Sequence, residues 1–143
     1  MTSPMVRTFA AQMTSLISGA NFSVPVVVVP WPATVTAVQY VPANAVLAST
    51  NVANTVRTFT LYNRGNSASQ GTGAIVIARA ALTSLVASQT AFSTGLIDNV
   101  ASSLPLNATT ASLTVGANEI LEWESSFSGS TGGIDPGGMI YVT

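Results

Sequence analysis

The chain has 143 residues, enough for one domain with a single core, and only 6% of them are charged, against about 25% in ordinary globular proteins. It contains no histidine and no cysteine, which excludes the most common catalytic base, thiolate chemistry and a disulfide framework. Four scattered arginines, no lysine and a net charge of -1 argue against nucleic-acid binding, and no apolar run reaches the ~20 residues that a membrane helix needs.

This scarcity of charge predicts that other subunits cover much of the surface. Freely diffusing domains usually carry mixed surface charges and protect strand edges with lysine. Here serine, threonine, asparagine, glutamine, alanine and glycine must serve instead, and a surface poor in charge loses little when it is desolvated. The alternative is a neutral soluble domain rich in threonine and serine.

Residues 1–32 are predicted to form an N-terminal arm and a proline-rich edge segment. Within the arm, Val6, Phe9 and Met13 fall on one helical face, and Gly19 can end such a helix. Several threonines and serines in the same stretch are weak helix formers, so an extended arm remains an equal alternative. In either form, the arm is the part of the chain expected to reach a neighbouring molecule.

The segment at residues 24–32 places four consecutive valines between prolines, next to Trp31. Because proline cannot donate a hydrogen bond to a β-ladder, this segment is predicted to be an edge strand or an extended connector.

Alternating apolar and polar residues predict strands over the next third of the chain. Residues 33–41 are expected to form one strand, and residues 55–63 a second with Phe59 and Leu61 inward. A third strand at residues 74–81 is apolar on both faces. It is therefore expected to be covered on both, once by the core and once by a partner.

Residues 89–94 are predicted as a short strand, and alternation resumes at residues 106–115 with Ala111, Leu113 and Val115 inward. A turn at residues 116–118 leads into a predicted C-terminal hairpin. Its first arm places Leu121, Trp123 and Phe127 on one face and Glu122, Glu124 and Ser126 on the other.

The hairpin's second arm, residues 139–142, follows Asp135-Pro-Gly-Gly138, a sequence typical of a tight turn. A strand this short persists only if it is inserted beside others. The whole pattern predicts an all-β chain: a single β-sandwich or jelly-roll-like domain of about eight strands at residues 33–143, preceded by the arm.

No catalytic, cofactor or metal site is predicted. Glu122 and Glu124 lie two apart on one strand face, whereas glycosidase carboxylates flank a sugar from opposite sides, so we interpret this pair as a solvated face. A serine nucleophile lacks a histidine or lysine to activate it. Trp123 is expected in the core and Trp31 against an arm or a partner.

Three stretches resemble the capsid decoration proteins of tailed bacteriophages. They are Thr55-Val-Arg-Thr-Phe-Thr-Leu-Tyr-Asn-Arg-Gly65 with its returning strand, Leu113-Thr-Val-Gly-Ala-Asn-Glu-Ile-Leu-Glu-Trp123, and Ile134-Asp-Pro-Gly-Gly-Met-Ile-Tyr-Val142. The resemblance spans roughly residues 33–143. It implies a small β-domain on the outer surface of the virion capsid, often a homotrimer, that clamps neighbouring subunits of the major capsid protein. It brings no active-site residues.

The expected contacts to the capsid come from the N-terminal segment, through Val6, Phe9, Met13, Val26, Val28 and Trp31. Removal of residues 1–23 is expected to abolish capsid binding and to leave the β-body folded. The alternative function is a carbohydrate-binding or receptor-binding module of a phage virion, with Trp31 or Tyr62 as the stacking platform.

Overall fold

The computed structural model describes residues 5–14, 21–44, 56–66, 74–82, 99–128 and 135–143. Within these ranges the chain forms ten strands and a 3-10 helix, Thr110–Leu113. The strands are β1 (Phe9–Met13), β2 (Phe22–Val28), β3 (Ala33–Thr34), β4 (Val38–Pro42), β5 (Val56–Asn63), β6 (Ile75–Leu82), β7 (Ser102–Ser103), β8 (Thr114–Val115), β9 (Ile120–Ser128) and β10 (Gly138–Val142). The predicted all-β class is confirmed.

Two antiparallel four-stranded sheets make up the body of the molecule. Sheet I has the strand order β1-β10-β4-β7, and sheet II has the order β2-β9-β5-β6. A small third sheet joins β3 to β8 at one end. The chain therefore contributes strands to both large sheets from its beginning and from its end.

The core lies between the two sheets and is aromatic at its centre. Tyr40 of sheet I packs against Phe59 and Trp123 of sheet II, with ring centroids 5.1 and 5.3 Å apart. Alternating residues of the central strands, among them Leu61, Leu121 and Ile140, fill the space around these rings. The predicted inward positions of Phe59, Leu61 and Trp123 are thus confirmed.

The predicted C-terminal hairpin is wrong in its pairing. β9 lies in sheet II between β2 and β5, whereas β10 lies in sheet I between β1 and β4. The two strands therefore face each other across the core instead of sharing hydrogen bonds. The expectation that the last strand is inserted beside others is confirmed, and so is the turn before it, where the Gly137 N–H donates to Asp135 Oδ1 at 2.9 Å.

Two other predicted strands are shorter than expected. Residues 33–41 split into β3 and β4, and both Val35 and Val38 reach the core across the break. In the stretch 106–115, the 3-10 helix replaces most of the strand, so Ala111 is exposed while Val115 is buried.

The edge of β6 is covered by the chain itself. The segment after β7 crosses from sheet I to sheet II, where the Arg79 N–H donates to the Pro105 carbonyl and the Asn107 N–H donates to the Ile77 carbonyl. A bridge between Ala78 and Leu106 lies between these two bonds. This crossing closes one side of the sandwich.

The N-terminal segment is built into the body. β1 pairs with β10 along its whole length, and β2 is an edge strand on β9, as predicted for the proline-rich segment. Over residues 5–14 the helix interpretation is wrong and the extended alternative is confirmed. Residues 1–23 include β1 and the start of β2, so their removal would take an edge strand from sheet I and shorten the edge strand of sheet II, and the truncated chain is now expected to be less stable.

Some predictions lie outside the described residues. These are the strand at residues 89–94 and the end of the predicted helix at Gly19. The part of the chain that the structure describes contains no helix long and apolar enough to cross a membrane.

Candidate partner-binding groove

An open apolar groove lies at the end of the sandwich where β3 and β8 pair. Its volume is about 740 Å³, within the range of roughly 300–1,000 Å³ that is usual for ligand clefts. We call it the Trp31 groove. It is lined by Met5, Val6, Arg7, Phe9, Val29, Trp31, Pro32, Ala33, Thr34, Val35, Thr36, Thr114, Val115, Leu121, Val142 and Thr143.

Three of the six residues predicted to bind a partner meet in this groove. Val6 is 74% exposed and Trp31 42% exposed, and both lie at its mouth with the half-buried Phe9. Val6 and Trp31 come from different chain segments, and the fold brings them together. The sequence alone gave no reason to expect a shared groove.

The other three predicted residues lie elsewhere. Met13 is only 3% exposed and packs in the core, so it is not available to a partner. Val26 is partly buried against the core from β2. Val28 is exposed on the same strand but does not line the groove.

The floor of the groove is apolar and fixed by core packing. Val115, Leu121 and Val142 are almost completely buried and line the groove from both large sheets and the small one. Because these side chains are held on paired strands, the groove exists before any partner arrives.

The chain end helps to hold the groove's shape. The Thr143 backbone oxygen accepts hydrogen bonds from the Thr36 and Ala37 N–H groups at 2.7 and 3.2 Å, and the Thr143 N–H donates to the Ala37 carbonyl. The Thr143 and Thr8 hydroxyls are 2.9 Å apart and share a hydrogen bond. These contacts tie the residues before β1 to the C-terminus.

Arg7 is a groove residue that the sequence analysis missed. Its guanidinium carbon lies 4.9 Å from the centre of the Trp31 ring, a cation–π contact, and its Nε donates to the Met5 sulfur at 3.0 Å. The signal available in the sequence was an arginine isolated in a nearly uncharged segment.

A buried polar cluster lies between the sheets, away from the groove. Arg57 and Asp135 are almost fully buried, the Arg57 Nη1 donates to the Ser125 hydroxyl at 3.3 Å, and the Tyr40 hydroxyl donates to the Gly137 carbonyl at 2.5 Å. In the sequence, Arg57 lies two residues before the inward-facing Phe59 and therefore on the same strand face. This spacing indicates a buried charge.

Burial governs the protonation of this cluster. It raises the pKa of Tyr40 above its ordinary value, and the negative charge of Asp135 raises it further, while Arg57 acts in the opposite direction. Burial also lowers the pKa of Arg57, against the raising effect of Asp135. Its hydrogen bonds tie the turn before β10 to β4, and β5 to β9, which is a structural role.

The outer face of sheet II carries a second polar group of residues. Arg64 pairs with Glu122 at 2.6 Å and with Glu124 at 3.4 Å, and its guanidinium lies 4.5 Å from the Tyr62 ring centre. Both carboxylates are therefore engaged by one arginine on a single face. The Arg64 and Glu122 side chains are only 16% and 12% exposed, so the predicted solvated face is half-buried here, and it offers no cleft between two carboxylates.

Within the described ranges, no group of three or more aspartates or glutamates is placed to hold a metal ion. Comparisons of the chain with protein-family models, with curated proteins and with solved structures gave no match.

Proposed function

We propose that this protein is a structural component of a tailed-phage virion that decorates the outer surface of the capsid by binding assembled major capsid protein. The observation that supports this best is the Trp31 groove, where exposed apolar side chains surround a preformed apolar cleft. Exposed apolar surface of this kind marks an interaction site. The resemblance of residues 33–143 supplies the particular partner.

The proposed role is to stabilise the assembled shell. A protein that binds only the assembled shell stabilises that shell by RT ln(1 + [L]/Kd) at each site, and the effect is repeated over many sites. A chain that is 6% charged gives up little hydration when such contacts form. A homotrimer is the proposed assembly on the shell.

Part of the N-terminal segment is built into sheet I, which narrows the set of proposed contacts. Since β1 is paired with β10 from Phe9 to Met13, this stretch is fixed in sheet I and cannot extend as a free arm. Val6, Phe9 and Trp31 remain as proposed contacts, and Met13 is withdrawn because it lies in the core.

Co-sedimentation tests the proposal. Shells assembled from the major capsid protein of the phage that carries this chain are mixed with the purified protein and pelleted through sucrose. Wild-type protein is expected to pellet with the shells and to raise the temperature at which they break. The double variant Val6→Ser, Trp31→Ala is expected to stay in the supernatant.

The control variant is Val100→Ser. Val100 is 49% exposed, comparable with Trp31, but lies outside the groove. It is expected to pellet like the wild type. Wild-type protein that stays in the supernatant at saturating concentration would exclude the assignment to the capsid.

The alternative is a carbohydrate-binding or receptor-binding module of the virion. The half-exposed Trp31 beside the threonines of the groove favours it, because sugars stack on aromatic rings and bond to hydroxyl groups. Tyr62 is less suitable, since Arg64 covers its ring. Binding on a glycan array that is lost in Trp31→Ala, without binding to shells, would favour this alternative.

A further inference from the structure

Arg7 differs from the other described arginines in its hydrogen-bond partners. The other three all donate to side-chain oxygens of the protein. The acceptors are Ser125 for Arg57, Glu122 for Arg64, and Thr60 and Tyr62 for Arg79. Among the described residues, Arg7 donates only to the Met5 sulfur, a weak acceptor, and forms no ion pair. It is exposed to water at the mouth of the Trp31 groove.

A partner that fills the groove must also cover Arg7. The guanidinium lies on the Trp31 ring, so any group that packs against Trp31 at the mouth removes water from Arg7. Burying a cation without an acceptor is strongly unfavourable. The occupant must therefore bring its own acceptor, and a carboxylate fits best because it accepts two parallel N–H bonds from a guanidinium.

The groove's other walls define the rest of the occupant. Its floor is made of valine and leucine side chains from paired strands, which gain most from apolar side chains. A volume of about 740 Å³ is open at the surface and takes a few side chains of a chain segment.

We propose that the Trp31 groove binds an extended apolar segment of the major capsid protein that carries an aspartate or glutamate beside its apolar residues, and that this carboxylate pairs with Arg7. This inference rests on the proposed function. It specifies which residue types the bound capsid segment carries, and it makes Arg7 the residue that selects this segment.

The test measures shell binding of three Arg7 variants in the same co-sedimentation assay. Arg7→Gln is expected to weaken binding about tenfold or more and Arg7→Glu more strongly, because a buried carboxylate is left unpaired or faces a like charge. Arg7→Lys keeps the charge but loses the bidentate geometry, so its binding is expected to lie between those of Arg7→Gln and the wild type.

Arg79→Gln is the matched control, since it removes the same charge from the outer face of sheet II. It is expected to bind within about twofold of the wild type, as distant charges outside a contact act weakly. Circular dichroism and urea unfolding confirm that each variant is folded. Arg7 lies outside every strand, so its replacement leaves the sheets intact.

A charge-reversal screen then identifies the carboxylate. Each surface aspartate and glutamate of the capsid protein is replaced by lysine, and one replacement is expected to restore binding of Arg7→Glu. Normal binding of Arg7→Glu to wild-type shells overturns the proposed carboxylate segment and leaves the capsid function standing. Failure of the wild-type protein to bind shells overturns both.

Discussion

At the scale of single residues, Tyr40 combines an aromatic and a polar role in the core. Its ring packs between Phe59 and Trp123, while its hydroxyl donates to the Gly137 carbonyl in the turn before β10. The neutral phenol is the form that this site stabilises, because burial and the charge of Asp135 both raise the pKa of Tyr40. Stability should therefore depend on Tyr40 and fall in alkali.

Tyr40→Phe is expected to lower the free energy of unfolding by about 0.5–1.5 kcal/mol at pH 7, because the Gly137 carbonyl loses one of its two donors and keeps only the Ala43 N–H. In the wild type, the unfolded tyrosine loses its proton near pH 10 while the folded one keeps it. The contribution of Tyr40 is therefore complete below pH 10 and declines above it, by about 1.4 kcal/mol per pH unit. Urea unfolding of both proteins between pH 7 and 11 measures the difference.

The control for this prediction is Tyr141→Phe, on the outer face of sheet I. The Tyr141 hydroxyl makes no hydrogen bond within the described residues, so its removal is expected to cost less than ~0.5 kcal/mol at pH 7. A gap between the wild type and Tyr40→Phe that stays constant up to pH 11 would contradict the proposed protonation.

Gly138→Ala is predicted to be the most damaging small substitution near the chain end. Gly138 has a φ of 128°, and an added Cβ would lie 2.1 Å from the Val41 carbonyl oxygen and 2.8 Å from the Ala43 nitrogen. Both are backbone atoms, one in β4 and the other just after its end, and they cannot move aside. The expected loss is more than about 3 kcal/mol, read from chemical denaturation.

Gly65→Ala separates the cost of a positive φ from the cost of the steric clash. Gly65 also has a positive φ, 72°, but a Cβ there meets nothing within 4 Å. It is expected to cost only about 1–2 kcal/mol, the strain of the left-handed backbone alone. Equal losses at the two glycines would show that the close approach to Val41 does not matter.

At the scale of elements, alternation predicts a strand's faces but not its neighbours. It placed Phe59, Leu61 and Trp123 correctly because each strand has one strongly apolar face. It assigned β9 and β10 to one hairpin, although nothing in the pattern distinguishes a partner in the same sheet from one in the facing sheet. Sheet membership depends on contacts between distant segments, which a local pattern does not contain.

Because a local pattern does not show strand partners, only three of the six residues predicted to bind a partner line the Trp31 groove. Phe9 and Met13 are four residues apart, a spacing that shares a face in a helix and in a strand, so the pattern left both alternatives open. Only the pairing of β1 with β10 shows that Met13 enters the core. Val6 and Trp31 line the same groove because distant segments pair, β1 with β10 and β3 with β8, and the sequence does not show these pairings.

A stability comparison tests whether β1 belongs to the body. Met13→Ala is expected to lower the free energy of unfolding by about 2–5 kcal/mol, because it leaves a cavity in the core. Val6→Ala, in the exposed stretch before β1, is expected to change it by less than ~0.5 kcal/mol. Equal small effects in urea unfolding would mean that β1 is only loosely attached.

At the scale of the whole molecule, the few charges are separated by location. Arg57 and Asp135 are buried between the sheets, while Arg64, Glu122 and Glu124 form ion pairs on the outer face of sheet II. Within the described residues, the outward positions of sheet I, such as Gln12, Gln39 and Tyr141, carry no charge. Among these residues, the outer face of sheet II is ionic and that of sheet I is neutral.

This distribution predicts a stability that is nearly independent of salt. Raising NaCl from 50 to 500 mM shortens the Debye length to a few ångströms and weakens ion pairs near the surface, which are worth only about 0–1 kcal/mol each when fully exposed. The Arg64–Glu122 pair, with side chains 16% and 12% exposed, is screened less than a fully exposed pair. The buried charges of Arg57 and Asp135 are screened much less. The free energy of unfolding in urea is therefore expected to change by less than about 1 kcal/mol, and in Arg64→Gln, which lacks the surface pairs, by less still. A loss of several kcal/mol in the wild type would mean that surface charges, and not the core and its neutral hydrogen bonds, hold the two sheets together.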